Sequence, residues 1–163
     1  MLGITIMAER LSEVDNLIER LRIGDPELVV AISGFVPGWN KFSFASKFCA
    51  YMCRYLFADG NAADNYAIYD GVLADMLPYY ALKYGNTERR PFLNRNSKST
   101  IETEFRKTRK YKEYRDLIDE ILDGVYYQKG IRLSREEFDS MIWYYYKGVS
   151  KEIQMQMMEV KFI

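Results

Sequence analysis

The sequence contains no histidine and only two cysteines among its 163 residues. Without histidine, Ser-His-Asp triads, Cys-His pairs, imidazole general bases and most zinc sites are excluded. The sequence also lacks the four clustered cysteines that usually bind an iron–sulfur centre. Proton transfer would therefore use Asp, Glu, Lys or Tyr, and we expect neither a metal ion nor a cofactor.

The two cysteines, Cys49 and Cys53, are four residues apart in a predicted helix, so both side chains share one face. This spacing does not predict a disulfide framework. Buried reduced thiols are the favoured interpretation, and a redox or reactive role is the alternative.

No apolar run approaches the roughly 20 residues needed to cross a bilayer, so the sequence predicts no transmembrane helix and no membrane partner. Residues 1–7 lack the basic flank and the cleavage site of a secretion signal. We therefore expect a cytoplasmic protein. A length of 163 residues fits one domain with a sizeable core.

Apolar residues recur at helical spacing along most of the chain, which predicts an all-α, single-domain helical bundle over residues 1–163. The start and stop residues predict a helix from Ser12 to Gly24, one from Asp25 to Ser33-Gly34, one over about 42–57, one after Asp70, one ending at Lys129-Gly130, and one with a capping box at Ser134–Glu137. Pro78 predicts a kink or a break before Tyr79–Tyr84. Residues 150–163 are interpreted as a short helix, a frayed end or an oligomer contact.

Net charge is zero, but it is unevenly distributed along the chain. Residues 83–115 carry 11 Lys or Arg against 4 Asp or Glu, whereas the segments on either side are acidic. A basic block of this kind is either a solvated face or a patch that contacts phosphate. Tyr111 and Tyr114 beside it would suit nucleic acid in the second case.

Pro37-Gly38-Trp39-Asn40 predicts a turn between two helices, because Pro fixes one backbone angle while Gly and Asn tolerate left-handed geometry. With Lys41 and Ser43 at the following helix start, exposed backbone N–H groups would form an anion site. The alternative is an ordinary connection between helices.

Asp70 and Lys47 are each open to two interpretations. A carboxylate at a helix start caps the helix without any need for catalysis. A lone lysine on an apolar helix commonly extends its ammonium group to water rather than binding a ligand. Their spacing in the sequence does not show that either residue has a functional role.

Three motifs resemble those of a largely uncharacterised family of small prokaryotic proteins. They are Ser43–Lys47, Ile68-Tyr69-Asp70 and the Trp-bearing helix Phe138–Trp143, and the likeness covers about residues 14–148. That family in turn resembles the helix-hairpin-helix DNA glycosylases of the 8-oxoguanine type. The resemblance implies a helix-hairpin-helix DNA glycosylase-like fold.

The resemblance also implies roles for individual residues. Val36–Asn40 matches the hairpin that grips a DNA phosphate, and Asp70 matches the catalytic aspartate, which would stabilise a cationic sugar or orient a water as an extruded base leaves. The sequence departs from the pattern at Asn40, which replaces a hairpin glycine, and at Ala67, which replaces a proline. No lysine precedes Lys41, so the resemblance implies a monofunctional DNA N-glycosylase without lyase activity.

Two functions are therefore carried forward. The first is a DNA-binding protein that excises a damaged or modified base. Its expected catalytic residue is Asp70, and its expected DNA-binding residues are Gly38, Trp39, Asn40, Lys41, Ser43 and Lys47, with a basic rim of Arg89, Arg90 and Arg95. The alternative is a non-enzymatic component of a defence or toxin system. It would form a homo-oligomer or bind a protein partner through the aromatic helices or the Met-rich tail.

Overall fold

The computed structural model describes residues 2–58, 60–86, 88–90 and 98–145, and only the backbone at 2, 98 and 99. Each regular element in these ranges is helical and no described residue lies in a strand, which confirms the predicted all-α class. The α-helices are α1 (Leu2–Ser12), α2 (Leu17–Arg22), α3 (Pro26–Ser33), α4 (Phe42–Leu56), α5 (Gly71–Tyr84), α6 (Lys98–Ile101), α7 (Tyr111–Lys129) and α8 (135–145). A 3-10 turn covers Asn61–Asp64 and a π-helix covers Glu102–Lys107.

The core is built around α4 and the extended segment 66–70. Helix α4 packs against α3, α2 and the 3-10 turn, as expected for a helix with few polar positions. Tyr111 and Tyr114 of α7 are fully buried, and their hydroxyls donate to the carbonyls of Ala67 at 2.8 Å and Ile68 at 2.7 Å. These bonds satisfy backbone groups that no strand pairs. The proposed role of the two tyrosines at a nucleic-acid patch is therefore wrong, because water cannot reach them.

The structure corrects one local prediction and narrows a second. The predicted helix start after Ser12 is wrong, because Ser12 ends α1 and its hydroxyl donates back to the carbonyl of Glu9 at 2.6 Å. The break that was one of the two outcomes predicted at Pro78 does not occur, because one helix, α5, runs from Gly71 to Tyr84, and the other outcome, a kink within the helix, stays a prediction. Pro78 removes a single backbone hydrogen bond, and the residue is buried in the core, where packing holds the helix together.

The start of α8 is tied to two other elements. Its predicted capping box is confirmed, with Glu137 N donating to Ser134 Oγ at 3.1 Å and Ser134 N donating to Glu137 Oε2 at 2.8 Å. Asp64 of the 3-10 turn accepts from the backbone N–H groups of Arg135 and Glu136. The Arg135 guanidinium forms two 2.8 Å bonds to Asp119 of α7. These contacts decide which face of α8 turns toward the core.

Helix α7 meets the last turn of α5 at Gly124. A Cβ at this position would overlap the carbonyl oxygen of Tyr84, so only a hydrogen atom fits between the two backbones. Glycine in the middle of a helix costs about 1 kcal/mol relative to alanine. The close packing of α5 against α7, which only glycine permits here, compensates for this cost.

Both cysteines are free and buried, which agrees with the favoured interpretation. The Cys53 thiol donates to the carbonyl of Leu21 at 3.3 Å. Burial raises the pKa of the Cys49 thiol far above its ordinary value and that of the Cys53 thiol to about 11. Neither side chain is a thiolate at neutral pH, so neither has the reactivity of a redox cysteine.

Candidate functional site

The loop of residues 34–41 joins α3 to α4 and contains the predicted hairpin turn. Trp39 N donates to the carbonyl of Val36 at 3.2 Å, and Lys41 N donates to that of Ser33 at 2.9 Å. Gly38 has a φ of +73°, and an added Cβ would have no neighbour within 4 Å. The turn therefore needs glycine for its backbone conformation and not for lack of space.

Asn40 acts through its side chain and not through left-handed backbone geometry, since its φ is not positive. Its carbonyl oxygen accepts from Phe42 N at 3.1 Å, and its amide nitrogen donates to the carbonyl of Arg106 at 2.6 Å. Asn40 thus caps the first turn of α4 and fastens the loop to the π-helix. The match of Asn40 to the position of a hairpin glycine did not suggest either contact.

The loop presents hydrogen-bond donors together with a cation. Within the described part of the chain, the N–H groups of Gly38, Asn40, Ser43 and Phe44 have no acceptor. The Lys41 ammonium lies 3.8 Å from the centroid of the Trp39 ring, whose side chain is 61% exposed. Free N–H groups beside a cation favour an anion, and an exposed indole can stack on a base.

Asp70 is the predicted cap of α5, and the structure confirms that role. Its Oδ1 accepts from the backbone N–H groups of Val72 at 2.9 Å and Leu73 at 3.0 Å. Its Oδ2 accepts from Trp143 Nε1 at 2.8 Å and lies 3.3 Å from Lys47 Nζ. The residue is only 4% exposed. Asp70 is therefore a buried carboxylate whose two oxygens are both engaged.

Lys47 and Trp143 reach Asp70 from different helices. Lys47 lies on α4, one turn beyond Ser43, and its side chain is 35% exposed. Trp143 belongs to α8, whose orientation is set by the Asp64 and Arg135 contacts described above. The sequence placed Lys47 and Asp70 in separate candidate roles, and the structure brings them together.

Asp139 is a site residue that the sequence analysis missed. It lies one helical turn before Trp143 on α8, so both side chains point toward Asp70. One carboxylate oxygen is buried without a hydrogen-bond partner among the described residues. Burial, and next the negative charge of Asp70, raise the pKa of Asp139 to about 6, although the charges of Arg54 and Lys47 oppose the shift. A carboxyl that titrates near neutral pH suits proton transfer.

The backbone around Asp70 is positioned by Ser46 and Tyr69. The buried Ser46 hydroxyl accepts from Tyr69 N at 3.0 Å, and the Tyr69 ring packs edge-on against Phe42 at 5.1 Å. Through these contacts the first turns of α4 hold the segment that ends at Asp70. Helix α4 therefore connects the hairpin loop to the Asp70 cluster, which consists of Asp70, Lys47, Trp143 and Asp139.

The Tyr69 hydroxyl is buried and lacks a hydrogen-bond partner in the described ranges. We expect Tyr69→Phe to leave the free energy of unfolding unchanged or to raise it by up to about 1 kcal/mol, because a desolvated polar group is removed. Tyr114→Phe is the matched control and should cost about 1–2 kcal/mol, since the Ile68 carbonyl loses its donor. Urea unfolding of both variants measures the difference, and equal losses would contradict the prediction.

The predicted basic rim is only partly described. Arg90 is half-buried and pairs with Glu120 of α7 at 2.9 Å, Arg89 is exposed, and Arg95 lies outside the described residues. The loop's hydrogen bond to the basic segment runs instead to Arg106. The three arginines therefore stay a prediction without a structural link to the hairpin.

An open apolar groove of about 780 Å³ lies between α1 and the hairpin loop. Its walls include Met7 and Leu11 from α1, Trp39 and Lys41 from the loop, and Phe44 from α4. Ile4 at its edge is 78% exposed. The groove offers little for hydrogen bonding to a base, but it suits an apolar surface.

Among the helices of the described residues, none is long and apolar enough to span a bilayer. The same part of the chain contains no group of three or more Cys, Asp or Glu side chains placed to bind a metal ion. Comparisons of the chain with protein-family models, with curated proteins and with solved structures find no match. Function is therefore inferred from the residues of the site.

Proposed function

We propose that this protein binds DNA through the hairpin loop and excises a damaged or modified base at the Asp70 cluster. The observation that carries the proposal is the loop itself at the start of α4. It has four N–H groups without an acceptor among the described residues, together with Lys41 and an exposed Trp39. The same helix carries Lys47 to within 3.3 Å of Asp70. A phosphate-binding element and a carboxylate are thus joined by one helix.

The proposed reaction is hydrolysis of an N-glycosidic bond. The base leaves with the bonding electrons and takes up a proton, while water adds to the sugar carbon and gives up a proton. Asp70 would stabilise the cationic sugar electrostatically, and Asp139, close to Asp70, is suited to take the proton from water. Lys47 is engaged in an ion pair with Asp70 and follows the hairpin in the sequence, and no lysine precedes Lys41. We therefore keep the monofunctional proposal, in which the abasic site stays uncut.

DNA binding is tested with Lys41→Glu, which replaces the cation of the loop by an anion. We expect at least about tenfold weaker binding in a gel-shift titration near 0.1 M salt, with a smaller salt dependence because one phosphate contact is lost. Lys129→Glu is the matched control. It makes the same charge change at the far end of α7, roughly 28 Å from Lys110, and is expected to bind like the wild type.

Single- and double-stranded DNA are both titrated, at about 50 and 200 mM salt, where phosphate-driven binding differs strongly. Wild-type binding no tighter than that of a neutral control protein would remove the proposal. Equal losses in Lys41→Glu and Lys129→Glu would show that the loop has no special part. Excision is then assayed on duplexes with single modified bases, with alkali used to reveal uncut abasic sites.

The second candidate is non-enzymatic binding of a protein partner. It is favoured by the saturation of Asp70, whose oxygens already have four partners, and by the exposed apolar groove beside α1. In this case Ile4→Asp should abolish capture of the partner and leave DNA binding unaffected. Base excision that Asp70→Asn eliminates in a folded protein would exclude the second candidate.

A further inference from the structure

A second basic element lies against the hairpin loop, at the turn of residues 106–110 between the π-helix and α7. Two contacts place it there. Asn40 donates its 2.6 Å hydrogen bond to the Arg106 carbonyl. The Arg109 guanidinium lies over Gly34, where an added Cβ would be 2.9 Å from Nη1. Residues more than 60 positions apart in the sequence thus share one surface.

The backbone of this turn is unusual. The π-helix is a rare element that often occurs at functional sites. Arg109 follows it with a φ of 57°, a left-handed conformation that few non-glycine residues adopt. Lys110 N closes the turn by donating to the carbonyl of Phe105 at 3.0 Å. The chain reverses sharply, and Lys107 and Arg109 are left exposed on its outside.

The turn and the loop together carry more cationic side chains than the carboxylates around them neutralise. Arg106 pairs with Glu102 at 3.8 Å and Lys110 with Glu113 at 3.6 Å. Within the described ranges, Lys41, Lys107 and Arg109 have no carboxylate within ion-pair distance. Glu104, which lies in the same π-helix, is half-buried. Exposed cations without partners on one surface attract a polyanion.

We propose that Lys107 and Arg109, with Lys41, form a surface that binds the phosphate backbone of DNA beside the hairpin loop. This inference rests on the proposed function and names a part of the interface that the sequence did not. The loop would hold one phosphate through its N–H groups and Lys41. The turn would hold the neighbouring stretch of the same backbone. Arg109 suits this role because its planar guanidinium bonds phosphate oxygens in pairs.

The test compares wild type with the double variant Lys107→Gln/Arg109→Gln in the same gel-shift titration. Two lost phosphate contacts should weaken binding about tenfold near 0.1 M salt and reduce the slope of log affinity against log salt by about 2. Lys129→Gln is the control for charge at a distant position and should leave both values unchanged. Lys107→Gln alone guards against a folding defect in the double variant, because this side chain is exposed and has no ion-pair partner within the described ranges.

Gly34→Ala adds a test that preserves every charge. The φ of Gly34 is −103°, which alanine adopts freely, so the new methyl group displaces only the tip of the Arg109 side chain. We expect binding to weaken about two- to threefold, because the guanidinium no longer rests in place, with no change in thermal stability. General electrostatic attraction between the basic segment 83–115 and DNA predicts no effect, because Gly34→Ala changes no charge.

The outcomes separate this inference from the proposed function. Loss of binding in Lys41→Glu with wild-type binding in the double variant would overturn the inference and keep the proposed function. Equal losses in the double variant and Lys129→Gln would also overturn it. Absence of DNA binding by the wild type would remove both. Competition by polyglutamate as effective as that of DNA would show a surface for carboxylates, against a phosphate site.

Discussion

Replacing Asp70 by asparagine is expected to lower the free energy of unfolding by about 2–4 kcal/mol, measured by urea unfolding at neutral pH. Asparagine can still cap α5 through its carbonyl oxygen. Its amide nitrogen would then face two donors, the indole N–H of Trp143 and the ammonium of Lys47. The indole N–H loses this acceptor at the buried residue 70, and the ammonium of the partly exposed Lys47 loses its counter-charge.

Asp25→Asn is the matched control, since Asp25 caps α3 in the same way. Its oxygens accept from Glu27 N at 3.0 Å and pair with Arg20 at 2.7 Å, but the side chain is more exposed than that of Asp70. Because asparagine caps as well as aspartate and half-exposed ion pairs contribute little, we expect a loss of at most about 1 kcal/mol. Equal losses at the two positions would mean that the contacts with Lys47 and Trp143 add nothing.

Asp139→Asn, in contrast, is expected to raise the free energy of unfolding by about 1–2 kcal/mol at pH 8 and to leave it unchanged at pH 4. The folded chain holds the Asp139 proton more tightly than the unfolded chain, with a pKa of about 6 against an ordinary 3.8. The unfolded state therefore releases this proton first as pH rises. The free energy of unfolding therefore falls as the pH rises from about 4 to 6. Above about pH 6 the charged Asp139 destabilises the folded state to its full extent.

Urea unfolding at several pH values measures this change, with Asp123→Asn on the exposed face of α7 as the control. The control should differ from wild type by no more than about 0.5 kcal/mol at every pH. The groups that face Asp139 are Asp70, Arg54, Lys47 and Glu136. A stability difference that does not vary with pH would show that folding does not raise the pKa of Asp139. A charge kept at the expense of stability is typical of functional positions.

The parts of the site that could be predicted from sequence are those determined by neighbouring residues. Asp70 as a helix cap, the glycine turn at Gly38 and the capping box at Ser134 each depend on hydrogen bonds within a few residues. Helix α4 was placed within one residue of its observed end. The motifs that suggested DNA binding belong to this local class, and their function remains a proposal.

The contacts that complete the site depend on docking between distant segments. Asp139 faces Asp70 only because Asp64 and Arg135 hold the start of α8, and no spacing in the sequence reveals that arrangement. Arg109 reaches Gly34 through the reversal after the π-helix. Helix periodicity gives the face of a helix that is buried, but not the partner that it meets.

The close contact at Gly124 restricts how this sequence can diverge. Any larger residue at position 124 requires the carbonyl of Tyr84 to move first, so a substitution there depends on an earlier change at the end of α5. A substitution of Gly124 can therefore be tolerated only after a change at the end of α5. Relatives that keep glycine at 124 should keep the end of α5 as it is here, and in relatives that have lost it α5 should end elsewhere.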